Sequence, residues 1–335
     1  MRLKLEVRRY RRHFKNPLLT GNGVLTERSG MIIRLEDPEG RVGFGEAAPM
    51  KWFSTESFQD ASAFLSSLGD AVEPDVWIEV PVSLPCCRFA LDCALKMMSG
   101  HLQDKRPDPI PVAGLLPNGK IALDWIGKLL DQGYRTFKWK IGVDPIETEF
   151  ERLDDLLEKM PEQARLRLDA NGALDRDKSR KWAERLAGDP KIEYLEQPLP
   201  LNQIKAYQAL QNETTTPLAL DESTTHLPDL SVITAGGWNG YIVCKPLVHG
   251  PLDTIQQWRQ IFRGKLSFSS VFETAIGMET LLQIASQDAN PLAIGAGTLA
   301  YFEDDGLSRH PIGSALTPGQ VSLEDMESVW CQLQK

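Results

Sequence analysis

Apolar and polar residues are spaced differently in the two parts of the chain. The first ten residues alternate apolar and charged side chains, which predicts a strand with one solvated face rather than a signal peptide. Two further short strands, Met31–Leu35 and Arg41–Gly45, flank a predicted turn at Asp37–Gly40. Helical spacing follows over Ser57–Leu68 and Pro85–Met98. Strands followed by helices are typical of an α+β unit.

From Ile110 onward, short apolar runs alternate with amphipathic stretches of helical length. This alternation predicts parallel strands joined by helical crossovers, and eight strands within about 200 residues favour a closed (β/α) barrel over an open sheet. The eight apolar runs are Val112–Leu116, Thr136–Ile141, Leu166–Leu168, Ile192–Leu195, Leu218–Leu220, Tyr241–Cys244, Leu266–Phe268 and Leu292–Ile294.

A proline-rich segment, Arg106–Pro109, lies between these two patterns and predicts a linker. We therefore expect a first lobe over residues 1–108 and a barrel over residues 109–310. The last segment, Val321–Gln334, predicts a strand or a helix that returns to the first lobe, so that residues 311–335 complete it.

Composition narrows the class of protein. Of the 335 residues, 42% are hydrophobic and 25% are charged, which is typical of a globular chain and excludes a disordered one. No apolar run approaches the ~20 residues of a membrane helix, so we expect a soluble protein. With 37 basic and 46 acidic residues, the net charge of −9 disfavours nucleic acid or an anionic membrane as a partner. Five cysteines without a CxxC pair indicate reduced core residues in a cytoplasmic protein.

Charged and hydroxyl side chains follow several of the predicted barrel strands. Because one such group occurs per strand–helix unit, we expect each at the carboxyl-terminal rim of the barrel, where the active sites of such folds lie. Two lysines stand two positions apart on one strand, so their side chains leave the same face. In chain order the groups are Lys138, Lys140, Asp169, Glu196, Asp221, Lys245, Ser269 and Ser270.

Three carboxylates on adjacent strand ends would form a site of oxygen ligands, which favours Mg²⁺. No pair of histidines has the spacing of a metal site. A divalent cation beside a substrate carboxylate would stabilise the enediolate that forms when an α-proton is removed. A lysine near a second lysine and a cation has a lowered pKa and can act as the base. Two other interpretations are helix N-caps for the acids and a solvated edge strand for the lysines.

These residues resemble the muconate-lactonising branch of the enolase superfamily, and within it the o-succinylbenzoate synthase family. The resemblance spans nearly the whole chain. Gly43–Pro49 is similar to the family's capping-domain loop that closes over the substrate, and Ser269–Gly277 is similar to its seventh-strand segment. The resemblance implies a (β/α)7β modified TIM barrel with an α+β capping domain. The motifs that carry it are Lys138-Trp-Lys140, Asp169-Ala-Asn171, Glu196-Gln-Pro198, Asp221-Glu-Ser223 and Lys245-Pro246.

The resemblance also implies a reaction and a role for each residue. The reaction is the syn-dehydration of 2-succinyl-6-hydroxy-2,4-cyclohexadiene-1-carboxylate to o-succinylbenzoate in menaquinone or phylloquinone biosynthesis. Lys140 would take the α-proton and return a proton to the departing hydroxide. Lys245 would stabilise the enediolate from across the ring, and Lys138 would tune Lys140. Asp169, Glu196 and Asp221 would bind Mg²⁺, with Mn²⁺ as a substitute. The candidates for contact with the dicarboxylate substrate are Asn171, Ser269, Ser270 and Arg28, the last from a flexible segment over Leu18–Arg28.

Alternative functions stay open at this stage. Dipeptide epimerases of the superfamily carry an Asp-x-Asp pair at the eighth strand, whereas this chain has no acid from Gly295 until Glu303. That difference argues against a free-amine dipeptide substrate but leaves N-acylamino acid racemisation, which would use Lys140 and Lys245 as two bases. A lysine Schiff base and a barrel that only binds a partner are further alternatives. The oligomeric state is left open.

Overall fold

The amino-terminal part of the chain forms an antiparallel sheet that packs on helices. The computed structural model describes residues 2–20, 23–50, 53, 55–102, 108–201, 203–225 and 234–333. The first four strands are β1 (Leu3–Thr20), β2 (Gly23–Glu36), β3 (Val42–Ala47) and β4 (Ala71–Val72), and they pair in the order β3-β2-β1-β4. Helix Pro85–Met98 packs so closely on β3 that a Cβ at Gly43 or Gly45 would collide with carbonyl groups of the helix.

Two helices of this first part begin within one residue of where the sequence predicts. Helix Phe58–Ser67 follows Ser57, whose hydroxyl accepts a hydrogen bond from the backbone N–H of Asp60, at 3.1 Å, in a capping box. Helix Pro85–Met98 has proline in its first turn, where no N–H is needed. A short helix, Val76–Glu79, lies between them.

The second part is a parallel barrel. Seven strands between Ala113 and Phe268 pair in sequence order. The eighth apolar run closes the ring through bridges rather than as a strand, because Ile294 pairs with Val112 and Gly295 pairs with Ser269. The barrel prediction is therefore confirmed. The strands are β5 (Ile110–Pro111), β6 (Ala113–Leu116), β7 (Thr136–Lys140), β8 (Arg165–Asp169), β9 (Ile192–Glu196), β10 (Leu218–Leu220), β11 (Tyr241–Cys244), β12 (Leu266–Phe268) and β13 (Ala315–Leu316), the last paired with β5.

Helices cover the outside of the barrel. On β7, the side chain of Trp139 faces outward and packs edge-on against Trp182 at 6.5 Å between ring centroids, so Lys138 and Lys140 face the interior. This alternation places both lysines as the sequence predicts. The helices are Ala122–Asp131, Ile146–Lys159, Arg176–Leu186, Ile204–Glu213, Pro246–His249, Leu252–Ile261 and Ala275–Ala285.

The carboxyl-terminal segment returns to the first sheet as helix Leu323–Gln332. Trp330 packs with Tyr10 and Phe44 in one buried cluster, and Glu327 pairs with Arg34 at 2.9 Å. The predicted linker begins outside the described residues, which omit Arg106 and Pro107, so the domain division near residue 108 stays a prediction.

The cysteines and the helices bear on two expectations from composition, namely cysteines in the core and no membrane span. Four of the five cysteines are buried, whereas Cys331 is exposed. Among the residues that the structure describes, none of the helices combines the length and the apolar character that a membrane span requires.

Candidate active site

The carboxyl ends of the barrel strands surround a cavity of about 590 Å³. Leu18 of β1 and Phe53, from the segment after β3, reach this cavity from the first part of the chain. Most of the side chains predicted from the strand ends meet here, and Glu196 lies buried just behind them. The predicted residues that line the cavity are Lys138, Lys140, Asp169, Asn171, Asp221, Lys245, Ser269 and Ser270.

Lys138 is bound by two carboxylates. Its Nζ lies 2.7 Å from Asp169 Oδ2 and 2.7 Å from Glu196 Oε1. Burial alone would lower the pKa of Lys138, but the charges of Asp169, Glu196 and Asp221 outweigh burial and raise this pKa well above its ordinary value. Lys138 is therefore a fixed cation within the site and is unsuited to act as a base.

Lys140 has a different environment. It lies at the end of β7, lines the cavity and is partly buried. In the described part of the chain, its ammonium group makes neither a hydrogen bond nor an ion pair. Of the two lysines on this strand, Lys140 is thus the one whose amine is available to a substrate.

Lys245 lies on the opposite side of the ring, because β11 is four strands from β7 in a barrel of eight units. It is buried and forms an ion pair with Asp221. Its Nζ also lies 4.7 Å from the centre of the Phe53 ring, which is a cation–π distance. Burial would raise the pKa of Asp221, but Lys245 and Lys138 lower it below its ordinary value.

The three carboxylates fit a hard divalent cation. Asp169, Glu196 and Asp221 end or follow three adjacent strands, and Glu196 Oε2 is buried without a hydrogen-bond partner among the described residues. Burial and the charge of Asp169 raise the pKa of Glu196 well above its ordinary value. As they stand, no three acidic, histidine or cysteine side chains in the described ranges form a group that could hold a metal, and Lys138 and Lys245 pair with these acids. A buried carboxylate oxygen without a partner is energetically costly, and a bound cation would satisfy it.

Two residues that follow strands β8 and β9 have positive φ angles. Asn171, at φ 45°, donates through its backbone N–H to Asp169 Oδ1 at 2.9 Å. Gln197, at φ 37°, accepts hydrogen bonds from the backbone N–H groups of Asp221 (3.0 Å) and Ser223 (3.2 Å). Gln197 therefore holds the turn that carries Asp221. The sequence does not predict this role, since a Gln-Pro pair after a strand is typical of a loop.

A further acid at this rim was also missed. Glu222 follows Asp221, lines the cavity and accepts a hydrogen bond from Asn171 Nδ2 at 3.1 Å. Burial, together with Asp221 and Asp169, raises the pKa of Glu222 to about 7. Its only sequence signal is its position next to a predicted metal ligand.

The segment after β12 carries both candidate serines. Ser270 Oγ lies 2.6 Å from Thr298 Oγ1 and donates to Glu273 Oε2 at 2.9 Å. Ser269 pairs with Gly295, where the ring closes. Both serines line the cavity, so their contact with a substrate stays a prediction that the geometry allows.

Arg28 is not among the cavity-lining residues. Its buried guanidinium donates to the carbonyl groups of Ala48 (2.5 Å), Pro49 (2.7 Å) and Val271 (3.0 Å). This geometry does not support direct contact between Arg28 and a substrate, because most of its donors are already engaged. The segment Gly43–Pro49 resembles a capping-domain loop in sequence, but in the structure most of it is strand β3.

The environment of Glu273 predicts an unusual pH dependence of the protein's stability. It is buried, and Oε1 has no hydrogen-bond partner among the described residues. Burial and the charge of Glu46 raise the pKa of Glu273 to about 7. In the unfolded chain the pKa of this carboxyl group is about 4.3. Between about pH 4.3 and about pH 7 the folded state therefore binds more protons than the unfolded state. The stability that Glu273 contributes falls as the pH rises through this range.

We therefore expect the Glu273→Gln variant to lose less stability than the wild type between about pH 5 and about pH 8. Urea unfolding at several pH values measures the difference. The exposed Glu158→Gln variant is the control and should follow the wild type. Equal pH slopes for wild type and Glu273→Gln would show that Glu273 titrates normally.

Comparisons with known proteins agree with this geometry. The family model for the MenC N-terminal domain matches residues 2–98, and the enolase C-terminal domain-like model matches residues 123–258. The o-succinylbenzoate synthase of Thermosynechococcus vestitus is 35% identical over 299 residues, covering 88% of this chain and 92% of the relative. The chain belongs to the o-succinylbenzoate synthase family.

Solved structures extend this family assignment to the fold. The o-succinylbenzoate synthase of Thermosynechococcus elongatus, complexed with Mg in its active site, superimposes with a TM-score of 0.85 at 32% identity, covering 98% of this chain and 100% of that chain. A dipeptide epimerase from Enterococcus faecalis shares the fold, with a TM-score of 0.80 at 20% identity over 95% of this chain and 98% of that one. Together with the enolase C-terminal domain-like model over residues 123–258, the match to the Thermosynechococcus structure shows that this chain has the modified barrel and capping domain of the enolase superfamily.

Proposed function

We propose that this chain catalyses the Mg²⁺-dependent syn-dehydration of 2-succinyl-6-hydroxy-2,4-cyclohexadiene-1-carboxylate to o-succinylbenzoate, a step of menaquinone or phylloquinone biosynthesis. The observation that carries the proposal is the contrast between two lysines in one cavity. Among the described residues Lys140 has no ion-pair or hydrogen-bond partner for its ammonium group, whereas Lys245, on the opposite side, pairs with Asp221. Membership of the o-succinylbenzoate synthase family supports this choice of substrate.

Asp169, Glu196 and Asp221 would hold the Mg²⁺ ion, whose charge would stabilise the negative charge that the substrate carboxylate gains during the reaction. Mn²⁺ has the same preference for oxygen ligands and would serve as a substitute. Three lysines and the Mg²⁺ ion together would outweigh the carboxylates at this rim and make the cavity locally positive, although the chain carries a net charge of −9. A dicarboxylate is therefore attracted to this cavity rather than to the acidic surface.

The proton steps belong to Lys140. Its neutral amine accepts the α-proton, and the electron pair of the broken C–H bond moves towards the carboxylate to give an enediolate. That pair then forms the new carbon–carbon double bond and expels hydroxide from the neighbouring carbon. The Lys140 ammonium protonates the hydroxide to water and returns to its neutral state. Because one residue serves both steps, the proton and the hydroxide leave from the same face.

Lys245 and Lys138 act by charge. The Lys245 ammonium faces the cavity from the far side and offsets the negative charge of the enediolate. Lys138 stays protonated between Asp169 and Glu196, and its fixed positive charge lies two residues from Lys140 on the same face of β7. Asn171, Ser269 and Ser270 line the same cavity and are the residues proposed to bind the polar groups of the substrate.

A direct assay tests this function. Purified protein with Mg²⁺ is expected to convert the cyclohexadiene carboxylate to o-succinylbenzoate, followed by absorbance. A chelator should stop the conversion, and added Mg²⁺ or Mn²⁺ should restore it. A folded, metal-loaded protein that leaves this substrate unchanged would contradict the proposal.

N-acylamino acid racemisation is the second candidate, because Lys140 and Lys245 face one cavity from opposite sides, as a two-base reaction requires. An amine-binding acid pair is missing between Gly295 and Phe302, which disfavours dipeptide epimerisation. Exchange of the α-proton of N-succinylamino acids in deuterated water, compared with the rate of dehydration, separates the two activities.

The cytoplasmic location stays a prediction.

A further inference from the structure

Phe272 has an unusual backbone conformation at the edge of the cavity. Its φ angle is +65°, in the left-handed region that bulky L residues avoid because Cβ crowds the neighbouring carbonyl. Its half-buried side chain lines the cavity next to Ser270 and Tyr301. Such conformations persist only where the surrounding structure holds them, and they often occur at functional sites.

Two buried arginines bind the backbone on either side of Phe272. Arg28 Nε donates to the carbonyl of Val271 at 3.0 Å, and Arg12 Nη1 donates to the carbonyl of Glu273 at 2.9 Å. Arg12 and Arg28 are direct cross-strand partners in β1 and β2, so one position of the hairpin presents both guanidinium groups. Their exposed fractions are only 1% and 4%. The two carbonyl groups that flank the strained residue are thus fixed from the first part of the chain.

The guanidinium groups are themselves held in place. Arg28 donates to the carbonyls of Ala48 and Pro49 at the end of β3. Arg12 pairs with Asp305, with 2.8 Å between Nε and Oδ2, and its Nη2 donates to Ser308 Oγ at 2.7 Å. Since each group has several partners, neither arginine can shift towards the solvent without breaking buried hydrogen bonds.

The same strand also contacts the Phe272 ring. Phe14, two residues after Arg12 on β1, meets this ring edge-on at 5.2 Å between centroids and 85° between planes. Tyr301, which also lines the cavity, meets it at 6.0 Å and 72°. Phe302 stacks on Phe14 and lies under the Arg12 guanidinium, 3.7 Å from its ring centre. One hairpin therefore contacts the Phe272 ring through Phe14 and binds the carbonyl groups on either side of this residue.

We propose that Phe272 is a specificity-determining residue, an apolar wall against which the cyclic part of the substrate packs, and that Arg12 and Arg28 are positioning residues that hold it there. The inference rests on the proposed function for the identity of the substrate. It gives Arg28 a role at the site without direct contact: the residue acts through the Val271 carbonyl.

A double-mutant cycle on KM tests the proposal. We expect Phe272→Ala to raise KM for the cyclohexadiene carboxylate about tenfold with kcat within about threefold, because the wall contacts substrate and transition state alike. Phe272→Leu retains an apolar wall and should stay close to the wild type. Arg28→Lys keeps the charge but cannot span the same carbonyl groups, so it should raise KM by a similar factor. If Arg28 acts through Phe272, the double variant should have the KM of Phe272→Ala alone.

Arg34→Lys is the matched control. Arg34 lies on the same strand, β2, but pairs with Glu36 and Glu327 away from the cavity, so the KM of the Arg34→Lys variant should match that of the wild type. Additive effects of Arg28→Lys and Phe272→Ala, or an unchanged KM in either single variant, would overturn the proposal.

A structural measurement separates this inference from the proposed function. If the wild type does not dehydrate the substrate, the proposed function fails. The positioning is then read from crystal structures of wild type and Arg28→Lys. We expect a positive φ at Phe272 in the wild type and a displaced backbone at Phe272 in the variant. An unchanged Phe272 backbone in the variant would contradict the positioning role of Arg28.

Discussion

Replacing Lys140 by alanine is expected to abolish dehydration, with kcat falling by about 10⁴-fold. The loss is large because one amine performs both proton transfers, so the variant lacks both the base for the α-proton and the acid for the departing hydroxide. Lys138 cannot take over, because Asp169 and Glu196 keep it protonated. Steady-state kinetics on purified Lys140→Ala, with product detected directly, measures the effect.

The structure makes this variant a clean test. In the described part of the chain Lys140 has no ion-pair partner, so its removal leaves no buried carboxylate uncompensated and the fold should stay intact. Binding of Mg²⁺ by calorimetry and the thermal unfolding temperature should both match the wild type. The exposed Lys178→Ala variant on an outer helix is the control. A Lys140→Ala protein that keeps a tenth of the wild-type kcat would rule out this residue as the base.

The barrel could be predicted because each buried parallel strand is a short apolar run. Ile192–Leu195, Leu218–Leu220 and Tyr241–Cys244 agree with β9, β10 and β11 to within one residue. The amino-terminal hairpin is longer than the sequence pattern predicts, since β1 extends over 18 residues and β2 over 14. The solvated face predicted for the first ten residues does not continue to Arg12, which is buried and donates to the carbonyl of Glu273, distant in sequence.

The composition of the site could be predicted for a related reason. Strand ends recur once per strand–helix unit, so the spacing of Lys140, Asp169 and Asp221 places them on one rim. The pairings within the site could not be predicted, because they depend on side-chain distances between nearby strands. Lys245 with Asp221, and Lys138 with Glu196, are pairings of this kind.

The second large effect is expected on stability, from Glu46→Ala. Glu46, on β3, is buried and accepts hydrogen bonds from Tyr10 Oη (2.6 Å), Thr274 Oγ1 (2.6 Å) and the backbone N–H groups of Thr274 and Gly277 (both 3.0 Å to Oε2). Thr274 is the N-cap of helix Ala275–Ala285, so Glu46 satisfies donors at this helix terminus and complements its dipole. Alanine would leave these buried donors unpaired, and we expect the free energy of unfolding to fall by about 3–5 kcal/mol.

Urea unfolding followed by circular dichroism measures the loss, with Glu39→Ala in the exposed turn before β3 as a control that should change little. Glu46→Gln should be intermediate, because its amide oxygen still accepts hydrogen bonds while its NH₂ group faces N–H donors. Since Thr274 lies two residues after Phe272, the folded fraction of Glu46→Ala should also show a raised KM. A loss below about 1 kcal/mol would mean that water replaces the carboxylate, and that Glu46 does not join the amino-terminal sheet to the barrel.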